Sequence, residues 1–135
     1  INFRLWNDLD NKEIFDFLDK HYNVKINRKN SRNNLNNHTF LSIDKKFDWP
    51  SLNIPVISTK GTCKALKDQI GILVNGDIVS CCLDNNGDNK LGNVLKQDIN
   101  EIINSSKYQE ILNGFNRHEL VSPLCQRCGY RERFK

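Results

Sequence analysis

The residues of this chain best suited to chemistry are its five cysteines, at positions 63, 81, 82, 125 and 128. Cys125-Gln-Arg-Cys128 is a C-x2-C knuckle, a spacing that lets two thiolates of one tight turn bind one metal centre. Thioredoxin-like redox pairs share that spacing, but they sit at a strand-to-helix junction near the start of a fold. This pair follows Pro123, close to the chain end.

A hairpin supplies the other ligands. The apolar runs Ile70–Val74 and Ile78–Cys82 flank Asn75-Gly76, and Asn-Gly between two such runs predicts a two-residue type I′ turn. Val74 then faces Asp77, Ile72 faces Val79 and Ile70 faces Cys81. Alternation puts Cys81 on the face of Ile70, Ile72, Val74 and Val79, with Cys82 on the opposite one. Adjacent strand residues do not easily reach one centre, so Cys81 is expected as the ligand and Cys82 as a small buried hydrophobe. Cys63, just before the hairpin, completes the set Cys63, Cys81, Cys125 and Cys128. Four thiolates suit tetrahedral zinc or an iron–sulfur cluster. A zinc ribbon usually brings two knuckles. Here there is one, and the other two ligands stand 18 positions apart, which argues for something wider than a single ion.

Other candidates read as structure. Asp84-Asn-Asn-Gly-Asp88 suggests a calcium loop, but Asn89 and Leu95 stand where an EF-hand needs Gly and Glu, so a polar turn is expected. His21, His38 and His118 lack ligand spacing. The basic stretch Lys25–Arg32 reads as a solvated loop. Arg127, Arg131 and Arg133 flank the knuckle, where cations would offset the charge of a thiolate-bound cluster. No catalytic residue and no residue binding an organic cofactor is assigned.

The elements around these residues indicate a small α+β fold. At 135 residues, 38% of them hydrophobic, the chain can bury a modest core. No apolar run approaches the ~20 residues needed to span a bilayer. No signal peptide is apparent and an odd cysteine count suits a disulfide scaffold poorly, so a cytoplasmic location is expected. A net charge of +4 does not demand nucleic acid. Ile1 is not a natural start, which suggests a piece of a longer protein or a processed one. Asn2–Asn7 reads as a strand, and Asp10 with Glu13 as a capping box opening a helix over 11–22. Asn27–Asn37 reads as a mobile loop and Thr39–Ile43 as a short strand. Asp48–Thr59, with two prolines, reads as an extended connector, which puts the boundary near Ser58 and gives modules 1–57 and 58–135. A second capping box, Asp98 with Glu101, opens a helix carrying Ile99, Ile102 and Ile103. After a break near Ser105-Ser106 a further helical stretch is expected to close at Gly114.

Cys63-x12-Gly76-x4-Cys81 resembles the opening signature of the SPASM/Twitch auxiliary cluster domain of radical S-adenosylmethionine enzymes. CCLDNNGDNKLGN, the capped stretch DINEII and the closing Pro123-Leu-Cys125-Gln-Arg-Cys128 follow in the family's order, so the resemblance covers about Gly61–Phe134. It implies one 4Fe–4S cluster, as in the single-cluster Twitch variety, because the cysteines for a second cluster are absent; zinc is an alternative occupant of an isolated fragment. It also implies that 1–26 are the last strand and helix of a partial α/β barrel, with Arg4 facing that barrel's cofactor pocket. Partners would be the chain's own N-terminal barrel, an electron donor and a peptide or small-molecule substrate. The barrel's C-x3-C-x2-C motif is nowhere in the sequence. S-adenosylmethionine would therefore belong to the intact enzyme, and this chain alone would not cleave it. The rival from another class is a structural zinc module contacting nucleic acid or a protein, which lacks a recognition motif.

Overall fold

The computed structural model describes residues 1–7 and 10–134, in two compact units, Ile1–Phe47 and Asp48–Lys135. The architecture is mixed α and β. Residues 48–57 go with the second unit. Among the described residues no helix is long and apolar enough to cross a membrane.

In the first unit, β1 (Asn2–Trp6) leads to α1 (Lys12–Tyr22), then β2 (Arg32–Asn36) and β3 (Thr39–Asp44). The sheet order is β1-β3-β2, with β1 parallel to β3 from Asn2↔Phe40 to Trp6↔Asp44 and β2 antiparallel to it. Phe15 and Leu18 of α1 pack with Ile26, Leu35, Leu41 and Ile43. Arg4 pairs with Asp44 at 3.4 Å.

Two expectations fail here. The Asp10–Glu13 capping box does not form. Asn11 is the N-cap without a side-chain bond to the helix, its Nδ2 donating instead to the Trp6 carbonyl, while Asp10 accepts from Lys12 N–H. The asparagine-rich stretch is also not simply a loop, because β2 lies within it. Its polar residues satisfy themselves locally, Asn27 accepting from Lys29 N–H and Asn36 from His38 N–H, and only Leu35 enters the core. One buried side chain in five gives composition little to register.

The second unit carries a small sheet of β4 (Gly71–Ile72), β5 (Asp77–Val79) and β6 (Gly92–Asn93), followed by α2 (Ile99–Ile103) and α3 (Ser106–Asn116). Asp98 caps α2 by accepting from Asn100 N–H, and Ser105 caps α3 by accepting from Tyr108 N–H; each such cap contributes about 1 kcal/mol. Ile78, Leu91, Ile102, Tyr108, Ile111, Phe115 and Leu120 form the core with Ala65 and Leu66.

The hairpin register differs from the expected one. Leu73 N–H donates to the Asp77 carbonyl and Gly76 N–H to that of Leu73. The loop is therefore three residues, Val74-Asn75-Gly76, and within it only Gly76 has positive φ, at 83°. This is a turn closed by one left-handed residue rather than a type I′ turn with two. Pairing shifts by one, to Ile72↔Ile78 and Gly71↔Val79. Ile72 and Val74 consequently face solvent, while Asp77, Ile78 and Val79 are all buried. β5 ends at Val79, so strand alternation does not govern the two cysteines beyond it. Gly114 is likewise no terminator. It lies inside α3, where an added Cβ would come within 2.6 Å of Val121 Cγ2, so it is there for close packing.

Candidate metal centre

Each cysteine is placed by a different local device. The segment before Cys63 lies against 118–120, with Gly61 N–H donating to the His118 carbonyl and Leu120 N–H to that of Thr59. After it, the turn 64–69 is tied down by Tyr108, whose hydroxyl donates to the Leu66 carbonyl at 2.7 Å. Leu66 has φ 64°, a left-handed conformation that costs a non-glycine residue energy and needs such support. Cys81 follows β5 in a turn closed by Asp84 N–H on the Cys81 carbonyl. Cys125 opens the 3-10 turn Cys125–Arg127, closed by Cys128 N–H on the Cys125 carbonyl. That turn is fastened to the connector. Ile57 and Ser58 N–H both donate to the Gln126 carbonyl, and Arg127 Nε donates to the Ile54 carbonyl at 2.8 Å.

Cys63, Cys81, Cys125 and Cys128 are the four cysteines so held. All four are half-buried with free thiols, and each lies within electrostatic reach of the other three. Cys63, Cys81 and Cys125 also pack against the apolar core. Burial pushes the thiols of Cys63 and Cys81 up, and that of Cys125 up to about 12. In each case burial is the largest cause, and the neighbouring thiols add to it. Among the described residues no group of three or more His, Cys, Asp or Glu is drawn in to hold a metal ion. Cys82 is exposed, which corrects the expectation that it is a buried hydrophobe. Once the strand stops at Val79, the turn rather than the pleat turns Cys82 outward.

Thiols of this kind are poor anions unless something compensates their charge. Cys63 accepts from Ala65 N–H at 3.5 Å and also from Lys64 N–H; Cys81 accepts from Leu83 N–H. Arg131 is buried, lies against the backbone of Gly61, and pulls the Cys63 thiol down. Its Nε has no hydrogen-bond partner. A buried guanidinium with an unpaired N–H is costly unless an anionic group stands nearby. Four thiolates bound to a cationic centre, with net negative charge, are such a group, so the donor set and its surroundings fit a thiolate-ligated centre.

Residues 63–129 match the family model of SPASM, an iron–sulfur cluster-binding domain. This part of the chain is a SPASM domain. The matched stretch begins on Cys63 and ends one residue after Cys128, so all four of these cysteines lie within it. SPASM domains bind iron–sulfur clusters. No curated protein and no solved structure matches the chain.

Sequence reasoning missed one part of this SPASM domain. Asp84 is buried and folds its own loop, Oδ1 accepting from Asp88 N–H and Oδ2 from Asn89 N–H. The stretch after the hairpin is thus a polar turn, as expected. Buried Asn89, in turn, donates to Ser80 Oγ at 3.1 Å and to Cys125 Sγ at 3.5 Å, and accepts from the Ser122 hydroxyl. The motif-like run DNNGDN drew attention to the first residue as a ligand, while the sixth is the one that touches the site.

Proposed function

We propose that this chain carries the auxiliary cluster domain of a radical S-adenosylmethionine oxidoreductase, with Cys63, Cys81, Cys125 and Cys128 holding one 4Fe–4S cluster. The observation that supports the reading is that these four half-buried thiols lie within electrostatic reach of one another, with a buried arginine acting on Cys63 whose Nε lacks a partner. Such a cluster supplies one-electron transfer. The half-buried thiols keep water away from the centre, the amides of Ala65 and Leu83 hold charge at Cys63 and Cys81, and Arg131 offsets the rest. Four cysteines leave no open iron, so the centre moves electrons to or from a neighbouring site and does not bind substrate. The first unit, in which β1 passes through α1 before β3 runs parallel to it, is read as the edge of the enzyme's α/β barrel. A peptide or small-molecule substrate, an electron donor and S-adenosylmethionine belong to the intact enzyme, and a cytoplasmic location is part of the same reading.

The test is anaerobic reconstitution of the 135-residue chain. Expected are four irons and four sulfides per chain, a one-electron paramagnetic resonance signal on reduction that S-adenosylmethionine leaves unshifted, and no 5′-deoxyadenosine. Zinc held in preference to iron, or cofactor cleavage dependent on these cysteines, would overturn the reading.

A further inference from the structure

We propose that Asn89 is a positioning residue that raises the reduction potential of the centre through Cys125; this rests on the cluster reading above. Cys63 and Cys81 each accept the backbone N–H two residues on, from Ala65 and Leu83. Cys125 cannot do the same. The 3-10 turn uses the N–H groups that follow it, Gln126 donating to the Ser122 carbonyl, Arg127 to that of Leu124 and Cys128 to that of Cys125 itself. The missing donor comes from a side chain 36 residues away, Asn89 Nδ2 at 3.5 Å.

That amide is locked. One hydrogen of Nδ2 goes to Ser80 Oγ and the other to Cys125 Sγ, Oδ1 accepts from Ser122, and the backbone N–H of Asn89 is held by Asp84. Both ends of a buried asparagine's side-chain amide are thus satisfied in one orientation. A donor fixed on a ligand sulfur stabilises the more negative, reduced cluster more than the oxidised one, and so raises the potential. Because this donor is a side chain, it can be substituted, whereas those on Cys63 and Cys81 cannot. Ser122 also hydrogen-bonds the Cys125 thiol, so its hydroxyl is shared between aiming Asn89 and meeting the sulfur.

The experiment compares the reconstituted full chain with Asn89→Leu and Ser122→Ala, measuring iron per chain and the midpoint potential by mediated redox titration. Expected is unchanged iron in all three, a clear shift to more negative potential in Asn89→Leu, and a smaller shift of the same sign in Ser122→Ala. Full iron with an unmoved potential overturns the tuning role, since a merely structural network would alter stability alone. Loss of iron in Ser122→Ala makes the network a holder of the ligand rather than a tuner, and also overturns it. If Asn89→Leu does not fold, the Ser122→Ala potential decides. An unsubstituted chain that takes up no iron rejects the cluster reading itself, before any variant is compared.

Discussion

Lys90 Nζ stands 2.6 Å from Asp77 Oδ1, at the point where β5 begins. The same carboxylate accepts from Asn93 Nδ2 at 2.7 Å and from Asn75 Nδ2 at 2.9 Å, so one buried aspartate joins the hairpin loop, β6 and the loop before it. The Lys90 ammonium first, then these amides, hold its carboxyl below the usual carboxylate value. A folded-state value below the unfolded one means that the unfolded chain binds more protons as the pH falls. The stabilisation is therefore complete above about pH 4, the ordinary value for aspartate, and is lost on acidification below it. Thermal midpoints of the native chain and Asp77→Asn should converge between neutral pH and pH 3. Parallel curves would contradict the assignment.

Cys81 and Cys82 are neighbours with opposite fates, one half-buried against the core and one exposed. Cys81→Ser should abolish stoichiometric iron after anaerobic reconstitution, and Cys82→Ser should retain it, with stability within about 0.5 kcal/mol of the native chain, as for an ordinary surface substitution. The reverse pattern would mean that the four-thiol set is misassigned.

The half-burial of Cys81 and the exposure of Cys82 show which parts of the fold the sequence expresses. Cys81 stands as a candidate ligand on cysteine spacing, which records a chemical requirement directly. The reasoning through alternation does not survive, because Asn75-Gly76 reports a turn but not whether one or two residues take positive φ; only Gly76 does. A register is the sum of many cross-strand contacts, and β4 is only Gly71–Ile72. Capped helices are legible where the cap faces solvent, as at Asp98, and less so where a competing partner exists, as for Asn11 with the Trp6 carbonyl. Asn89 was illegible for a different reason. Its partners Ser80, Ser122 and Cys125 are up to 36 positions distant, and nothing local marks an asparagine that the tertiary fold will bury.

Tyr108 reaches from α3 to the Leu66 carbonyl, and this bond supports a residue at φ 64° near Cys63. Tyr108→Phe keeps the ring and leaves a buried carbonyl without its donor. The expected loss is about 1–3 kcal/mol in chemical unfolding, without a change in slope. An unchanged midpoint would show that the Leu66 turn stands without the hydroxyl.

Arg131 is a charge whose value depends on what the thiols hold. In the metal-free chain its buried Nε is unpaired, so Arg131→Met should leave stability unchanged or raise it. With the centre loaded, the same change removes the compensating cation, and iron should be lost faster to a chelator. A variant that destabilises both forms equally would mean that the guanidinium acts through packing against Gly61 and not through charge.

Metal removal should loosen the chain end in a definite order. The knuckle turn has its own fastenings, to the connector through Gln126 and Arg127 and to Leu120 through Gln126 Nε2. The following turn, Tyr130–Phe134, has Glu132 N–H on the Gly129 carbonyl as a local bond, the Tyr130 and Phe134 ring centroids 5.7 Å apart, and Lys64 Nζ 5.9 Å from the Phe134 ring. Its deepest residue, Arg131, is held beside Cys63 by charge, which disappears when the thiols are protonated and unligated. α3, by contrast, places Tyr108, Ile111 and Phe115 in the core and needs no metal to stay there. Amide exchange in the metal-free chain should therefore rise first and most in 129–134, next in 125–128, and least in 108–115. Local opening follows the lowest free energy available to each segment, so protection should fall without a global unfolding transition. If 129–134 keeps the protection it has in the loaded chain, the centre does not hold this end, and the charge pairing assigned to Arg131 is wrong.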